Sequence, residues 1–150
     1  MGRIARKTST PDLGILGARL LFGLQGELFR RGAELGFGDL KPKHGAVLAY
    51  LDENGIGQNE LTRLAGRNKQ TIGAILDELE RLGYLTRVPD PADRRARLIM
   101  PTGRGLEWMR VSDGIVEDIE RRHAEMVGTE EYAAFLRTLK TITGSSQEIH

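Results

Sequence analysis

The stretch from Gln58 to Pro101 reads QNELTRLAGRNKQTIGAILDELERLGYLTRVPDPADRRARLIMP. It holds two short helical patterns, a turn at Gly66–Arg67, and two strand-like runs joined by an arginine-rich loop. Gln58–Leu64 is the first helix, with Leu61 and Leu64 facing inward. That order predicts a helix–turn–helix followed by a wing, an arrangement suited to reading DNA.

The second helical pattern is the sharper half. From Asn68 the apolar residues fall at Ile72, Ile75, Leu76, Leu79 and Leu82. Offsets of three and four put them on one face of a helix. Asn68 suits the N-cap, where its side chain accepts an orphan amide hydrogen. Gly83 suits the left-handed position that closes a helix. The outward face carries Lys69, Gln70, Gly73 and Ala74, then Asp77 and Arg81. The first turns of a recognition helix meet base edges. Glutamine bonds adenine bidentately, and lysine reaches guanine or phosphate. Gly73 and Ala74 are small enough for the helix to approach the groove floor. An ordinary amphipathic surface helix shows the same periodicity, so this helix alone does not decide.

The wing weighs more. Tyr84–Val88 alternates as a strand does, with Arg87 beside apolar neighbours, and Ala96–Met100 is a second short strand. The PDPADRR segment between them is expected to be a loop, because Pro89 and Pro91 break regular pairing and Asp90 favours a turn. Arg94, Arg95 and Arg97 cluster at and beside its tip, and Asp93 is expected to orient one of them. A hairpin tip that projects arginine suits a narrow, electronegative minor groove. A solvated charged turn is the alternative.

On these residues, Gln58–Gly105 resembles the multiple-antibiotic-resistance regulator (MarR) family of winged-helix transcription factors. DPADRRARL (Asp90–Leu98), followed by Thr102 and Gly105, resembles that family's D-P-x-D-R-R…T-x-x-G wing. NKQTIGAILDELERLGYLTR (Asn68–Arg87) resembles its recognition helix and first wing strand, and LKPKHGAVLAYL (Leu40–Leu51) the helix before the motif. Ala92 stands where many members carry arginine, and Gly73 and Ala74 where many carry larger polar residues, which bears on the bases read.

The resemblance implies a mainly α fold with a small β-hairpin wing: a winged helix–turn–helix with added N- and C-terminal dimerisation helices. Residues 40–101 would form the DNA-binding lobe, and residues 11–36 and 102–146 the dimerisation helices. Lys69, Gln70 and Thr71 would work in the major groove, beside Asn68, Gly73 and Ala74, and Arg94 in the minor groove. Arg63, Arg67, Arg95 and Arg97 would contact phosphate or brace the wing.

Composition sets the bounds. A chain of 150 residues is one modest domain, large enough for a core. It has no cysteine, which excludes disulfides, thiol redox sensing and cysteine-ligated metal centres. No apolar run approaches membrane-spanning length and no signal peptide is visible, so a cytoplasmic location without a membrane partner is expected. Net charge is only +1, yet its distribution is uneven. Arg63 to Arg104 holds nine basic and five acidic residues, a net +4. Gly105 to His150 holds five basic and nine acidic, a net −4. A basic binding face and an acidic distal part follow. Aromatics are 5% of residues, too few for a platform that stacks single strands.

On the flanks, basic Met1–Thr10 reads as a disordered tail. Thr10 as N-cap and Pro11 at the first position open a long helix through Leu13, Leu16, Leu20, Leu21, Leu24, Leu28 and Phe29. Leu40–Leu51 is expected to be one helix, and Gly55–Gly57 a connector able to supply a minimal strand. Thr102 caps a helix reaching about Val127, roughly 36 Å at 1.5 Å per residue. Thr129 caps the last one, striped by Tyr132, Phe135, Leu136, Leu139 and Ile142. So long a helix outruns a compact winged helix, and a second copy is the simplest partner for its far end. A homodimer places two recognition helices about one helical turn apart on double-stranded DNA, an inverted-repeat operator.

The resemblance also implies a small aromatic or anionic effector bound near Leu20, Leu24, Phe37, His44, Tyr50, Trp108 and Met109. A core role for Trp108 and a helix-start role for His44 are the plainer readings. No cofactor or metal is expected. His44, His123 and His150 are far apart, His123 on a solvated helix face, and no nucleophile elbow, zinc signature or phosphate loop is present. An enzyme is therefore not expected. A sequence-specific transcriptional regulator, a repressor, is the leading reading. A sequence-indifferent architectural DNA binder and a winged-helix protein-interaction module are the alternatives.

Overall fold

The computed structural model of the chain describes residues 1–147. His150 lies outside the described residues. The chain divides into two compact units, Met1–Pro42 and Lys43–His150.

The first unit is helical. Helix α1 spans Arg3–Ser9, where the sequence suggests a disordered tail. It buries nothing and has no side-chain cap, and Lys7 pairs with Asp12 beyond its end. Helix α2 runs over Leu13–Glu34 despite its glycines. Its N-cap is Asp12, whose Oδ1 accepts the Ile15 N–H at 3.1 Å, not Thr10. A carboxylate is the better acceptor beside the positive end of a helix. Pro11 thus precedes the cap instead of opening the helix.

A 3-10 turn at Pro42–His44 spans the boundary, and a single helical turn, α3, follows at Gly45–Leu48. The long helix expected over Leu40–Leu51 does not form. Pro42 disfavours a helical conformation at Lys41, which delays the start. Then come β1 (Ile56–Gly57), α4 (Gln58–Ala65), α5 (Lys69–Arg81), β2 (Leu85–Asp90), β3 (Asp93–Pro101), α6 (Gly103–Val127) and α7 (Thr129–Gln147). The strands form an antiparallel sheet in the order β1-β3-β2. The expected mainly α fold with a small wing is what the chain adopts.

The predicted periodicity sets the packing. Ile72, Ile75, Leu76 and Leu79 of α5 are buried, with Leu61 of α4, Val47 of α3, Leu85 of β2 and Ile99 of β3. Gly66 (φ +65°) makes the turn between α4 and α5, and Gly83 (φ +89°) closes α5. Gly105 is required by space. A Cβ there would stand 2.1 Å from the Tyr84 carbonyl oxygen. Thr102 secures the same junction: its hydroxyl donates to the Gly83 carbonyl at 2.6 Å and accepts the Gly105 N–H at 3.1 Å. The T-x-x-G spacing therefore welds the start of α6 to the base of the wing.

Two details at the distal end differ from expectation. Thr129 is the first residue of α7, not its cap, and Gly128 (φ +102°) precedes it. His123 is half-buried between α6 and α7, its Nδ1 3.3 Å from the Tyr132 hydroxyl, which also bonds Glu120 at 3.3 Å.

Candidate nucleic-acid interface

The start of α5 is held by a local cap. Asn68 Oδ1 accepts the Thr71 N–H at 2.8 Å, so Asn68 fixes the helix start rather than reaching outward. Lys69, Gln70, Thr71 and Ala74 are exposed, and Gly73 is half-buried. The apolar stripe holds the opposite face in the core, which leaves Gln70 and Ala74 pointing away from the protein. Exposed Arg63 lies 3.9 Å from exposed Glu60 on α4, and Arg67 is exposed in the turn.

The wing is longer than expected. Pairing continues past Pro89, which faces Arg97, to Asp90 opposite Asp93, leaving Pro91–Ala92 as the tip. Proline is tolerated because the sheet order makes β2 an edge strand. Between those last two pairs lie no residues of β2 and three of β3, so Arg94, Arg95 and Ala96 form a bulge. Bulges re-aim side chains, and here both arginines are exposed. The tip is set by short turns: Asp90 Oδ1 accepts the Ala92 N–H at 2.9 Å, and Asp93 Oδ1 accepts the Arg95 N–H at 3.0 Å. Asp93 thus orients an arginine through its backbone, not by pairing with a guanidinium. Among the described residues, Arg94, Arg95, Arg97, Arg67 and Lys69 have no ion-pair partner.

Arg87 behaves differently. It is only 21% exposed in its side chain, and its Nη2 reaches Asp77 at 2.5 Å and Glu80 at 2.9 Å, both on α5. Its backbone N–H donates to Glu80 Oε2 at 3.0 Å. Burial disfavours the guanidinium charge, but the bonds to Asp77 and Glu80 outweigh it and raise its pKa. The side-chain bond from Arg87 holds the Glu80 carboxyl below the usual carboxylate value. The neighbouring Glu78 is tied the other way, to Lys43 at 3.1 Å and to buried His44 at 3.3 Å, and its pKa is lowered, chiefly by Lys43.

Sequence reading missed these clamps. The signal for the first was an arginine on the inward face of a strand, following a helix that carries acids three residues apart. A surface hollow of about 420 Å³ lies beside it, lined by Gln58, Glu80, Arg87 and Arg97. None of the suggested effector residues lines it. Of those, Leu20, Leu24 and Phe37 belong to the first unit and His44, Tyr50, Trp108 and Met109 to the second. Phe37, His44 and Trp108 are buried, Leu24 and Met109 half-buried, and Leu20 and Tyr50 exposed. Among the described residues no cluster of three or more His, Asp or Glu is placed to hold a metal, and no helix is long and apolar enough to cross a membrane.

A helix–turn–helix led by exposed Lys69, Gln70 and Thr71, and followed by an arginine-bearing wing, defines a winged-helix DNA-binding protein. Residues 38–96 match the family model described as MarR family. The chain is a DNA-binding transcriptional regulator. The transcriptional regulator HosA of Escherichia coli O111:H- is 27% identical over 100 residues, 67% of this chain and 74% of HosA. Among solved structures, the transcriptional repressor CouR bound to a 23-mer DNA duplex is similar with a TM-score of 0.74 and 27% identity, over 95% of this chain and 99% of that one. CouR from Rhodococcus jostii RHA1 bound to p-coumaroyl-CoA gives a TM-score of 0.72 at 25% identity, over 89% and 92% of the two chains.

Proposed function

We propose that the chain represses transcription in the cytoplasm as a homodimer bound to an inverted-repeat operator, and that a small aromatic or anionic effector releases it. The observation that carries this reading is the set of exposed cations and amides on one reading device: Lys69, Gln70 and Thr71 at the start of α5, Arg94 and Arg95 in the bulge of the wing. None of these arginines, nor Lys69, is neutralised by an ion pair among the described residues. Gln70 would read base edges in the major groove, Arg94 the adjacent minor groove, and Arg63, Arg67 and Arg95 the backbone.

Exposed apolar side chains support self-association. Leu13, Leu16 and Phe22 on α2, Met126 at the end of α6, and Phe135 and Ile142 on α7 all face solvent in the single chain. A second copy would cover them, making residues 11–36 and 102–146 dimerisation helices around a DNA-binding lobe at 40–101. For the effector, the resemblance to CouR, whose structure with p-coumaroyl-CoA is known, favours an aromatic acyl compound. It would act by binding preferentially to one separation of the two recognition helices.

The test is binding to a duplex from the protein's own upstream region against a scrambled duplex of equal length. We expect a preference of about a thousandfold or more at roughly 150 mM salt, with two protomers per duplex. Equal, weak binding to both would favour a sequence-indifferent architectural role. Absence of binding to either would turn the basic face into a protein-interaction surface.

A further inference from the structure

We propose that Ala74 reads the 5-methyl group of one thymine in each half-site, and that the missing side chain at Gly73 lets the helix come close enough to do so. This rests on the regulator reading above and names a base within it. The observation that leads to it is Gly73, fifth of the 13 residues of α5. Inside a helix, glycine costs about 1 kcal/mol of stability against alanine. Two intramolecular causes require a glycine: a positive φ, or a neighbour too close for a Cβ. Gly66 and Gly83 show the first, and Gly105 shows the second. Gly73 shows neither. Its φ is not positive, and among the described residues nothing lies within 4 Å of the place its Cβ would take. The chain alone gives no reason for the missing side chain. A surface pressed against α5 from outside gives one.

The helix fixes the direction of that approach. Ile72, Ile75, Leu76 and Leu79 are buried, so Gln70, Gly73, Ala74 and Asp77 lie on the opposite face. Gln70 and Ala74 are both exposed and, being four residues apart, point the same way. Asp77, the next turn on, is held by Arg87 of the wing. Ala74 has only a methyl group, which can neither donate nor accept a hydrogen bond. In the major groove the apolar group on the base edges is the thymine 5-methyl, and alanine is one of the side chains that contact it. Carbon–carbon contact needs a separation of about 4 Å, so the helix backbone must approach the groove floor. A Cβ at Gly73, adjacent on the same face, would fill that space. Spacing also places the thymine. Four helical residues advance about 6 Å, and successive bases lie about 3.4 Å apart along a strand. The methyl group therefore belongs about two base pairs from the base that Gln70 reads.

The experiment uses the full chain and a duplex that the wild-type protein selects from a randomised pool. Deoxyuridine then replaces its thymidines one at a time, which removes the 5-methyl group and nothing else. We expect one thymine per half-site to be sensitive, with wild-type binding weakened about fourfold, the worth of burying one carbon group. Ala74→Gly should bind the thymine and uracil duplexes equally. That ratio is taken within one variant, so a change in its stability cancels. The sensitive position should lie about two base pairs from the one whose preference changes in Gln70→Ala. Gly73→Ala should unfold at a higher temperature than wild type and yet bind the selected duplex about tenfold or more weakly, a split that a purely structural residue would not give. A selected half-site without thymine, no sensitive thymine, or the same sensitivity in Ala74→Gly would overturn the methyl contact. Undiminished binding by Gly73→Ala would overturn the close approach. If the wild-type protein enriches no sequence, the regulator reading itself fails, and this inference with it.

Discussion

Glu80 and Arg87 are joined twice, once through the Arg87 backbone N–H at 3.0 Å and once through its guanidinium at 2.9 Å. The pair ties the last turn of the recognition helix to the first strand of the wing. The angle between α5 and the wing is thus set inside the protein.

Arg87→Met should therefore destabilise the fold by about 1–2 kcal/mol. That is the range for hydrogen bonds to charged groups, reduced for partial exposure. Asp77→Asn should cost less, because Asp77 is mostly exposed. Denaturant unfolding of both variants checks the order, and a larger loss for Asp77→Asn would contradict it.

Acid should weaken the same tie. Arg87 lowers the Glu80 pKa below its ordinary value of 4.5, so near that pH the unfolded chain binds the proton more readily than the folded one. The stabilisation is complete above the unfolded pKa and is lost as pH falls through the lower folded value. Denaturation midpoints measured from about pH 6 to pH 3 should fall less steeply in Glu80→Gln than in wild type. Parallel curves would show that Glu80 is not the group responsible.

Two glycine-to-alanine changes should move in opposite directions. At Gly105 the new Cβ would meet the Tyr84 carbonyl oxygen at 2.1 Å and Pro101 at 3.2 Å, so backbone must shift. A destabilisation of about 1–3 kcal/mol is expected, typical of overpacking. At Gly73 nothing lies within 4 Å, and alanine should stabilise the helix by up to about 1 kcal/mol. Thermal unfolding decides both signs.

Gln70→Ala and Arg94→Ala should separate readout from attachment. Gln70→Ala is expected to change which base is preferred at one position of each half-site. Arg94→Ala should weaken binding several-fold, equivalent to about 1 kcal/mol or more of groove interaction, with dimer and fold intact. Parallel selections from a random duplex pool, with the two variants and the wild type, read out both effects. An unchanged base preference in Gln70→Ala would remove direct readout at that residue.

What could be read from the chain was mostly local. Asn68 and Thr102 are caps because each bonds an amide three residues on, and that relation is written in adjacent letters. The same holds for the burial stripe of α5 and for Gly66 and Gly83 at the turns. Local rules stumbled where two of them competed. Thr10 and Asp12 both suit a cap, and the carboxylate prevailed. Pro89 reads as a strand breaker until the sheet order shows that β2 is an edge.

By itself, then, the amino-acid order determined the two helices, the wing that follows them, and the excess of basic over acidic residues between Arg63 and Arg104. Periodicity, capping and charge counting act over a few residues and need no fold to be seen. Tertiary structure alone decided the rest: that Arg87 is spent on Asp77 and Glu80 while Arg97 is not, that Arg94 and Arg95 stand in a bulge, and that Gly105 has no room for a side chain. Those outcomes depend on strand register and on the approach of residues seven to twenty-one positions apart. Such distances are set by the packing of the whole lobe, which no local spacing specifies.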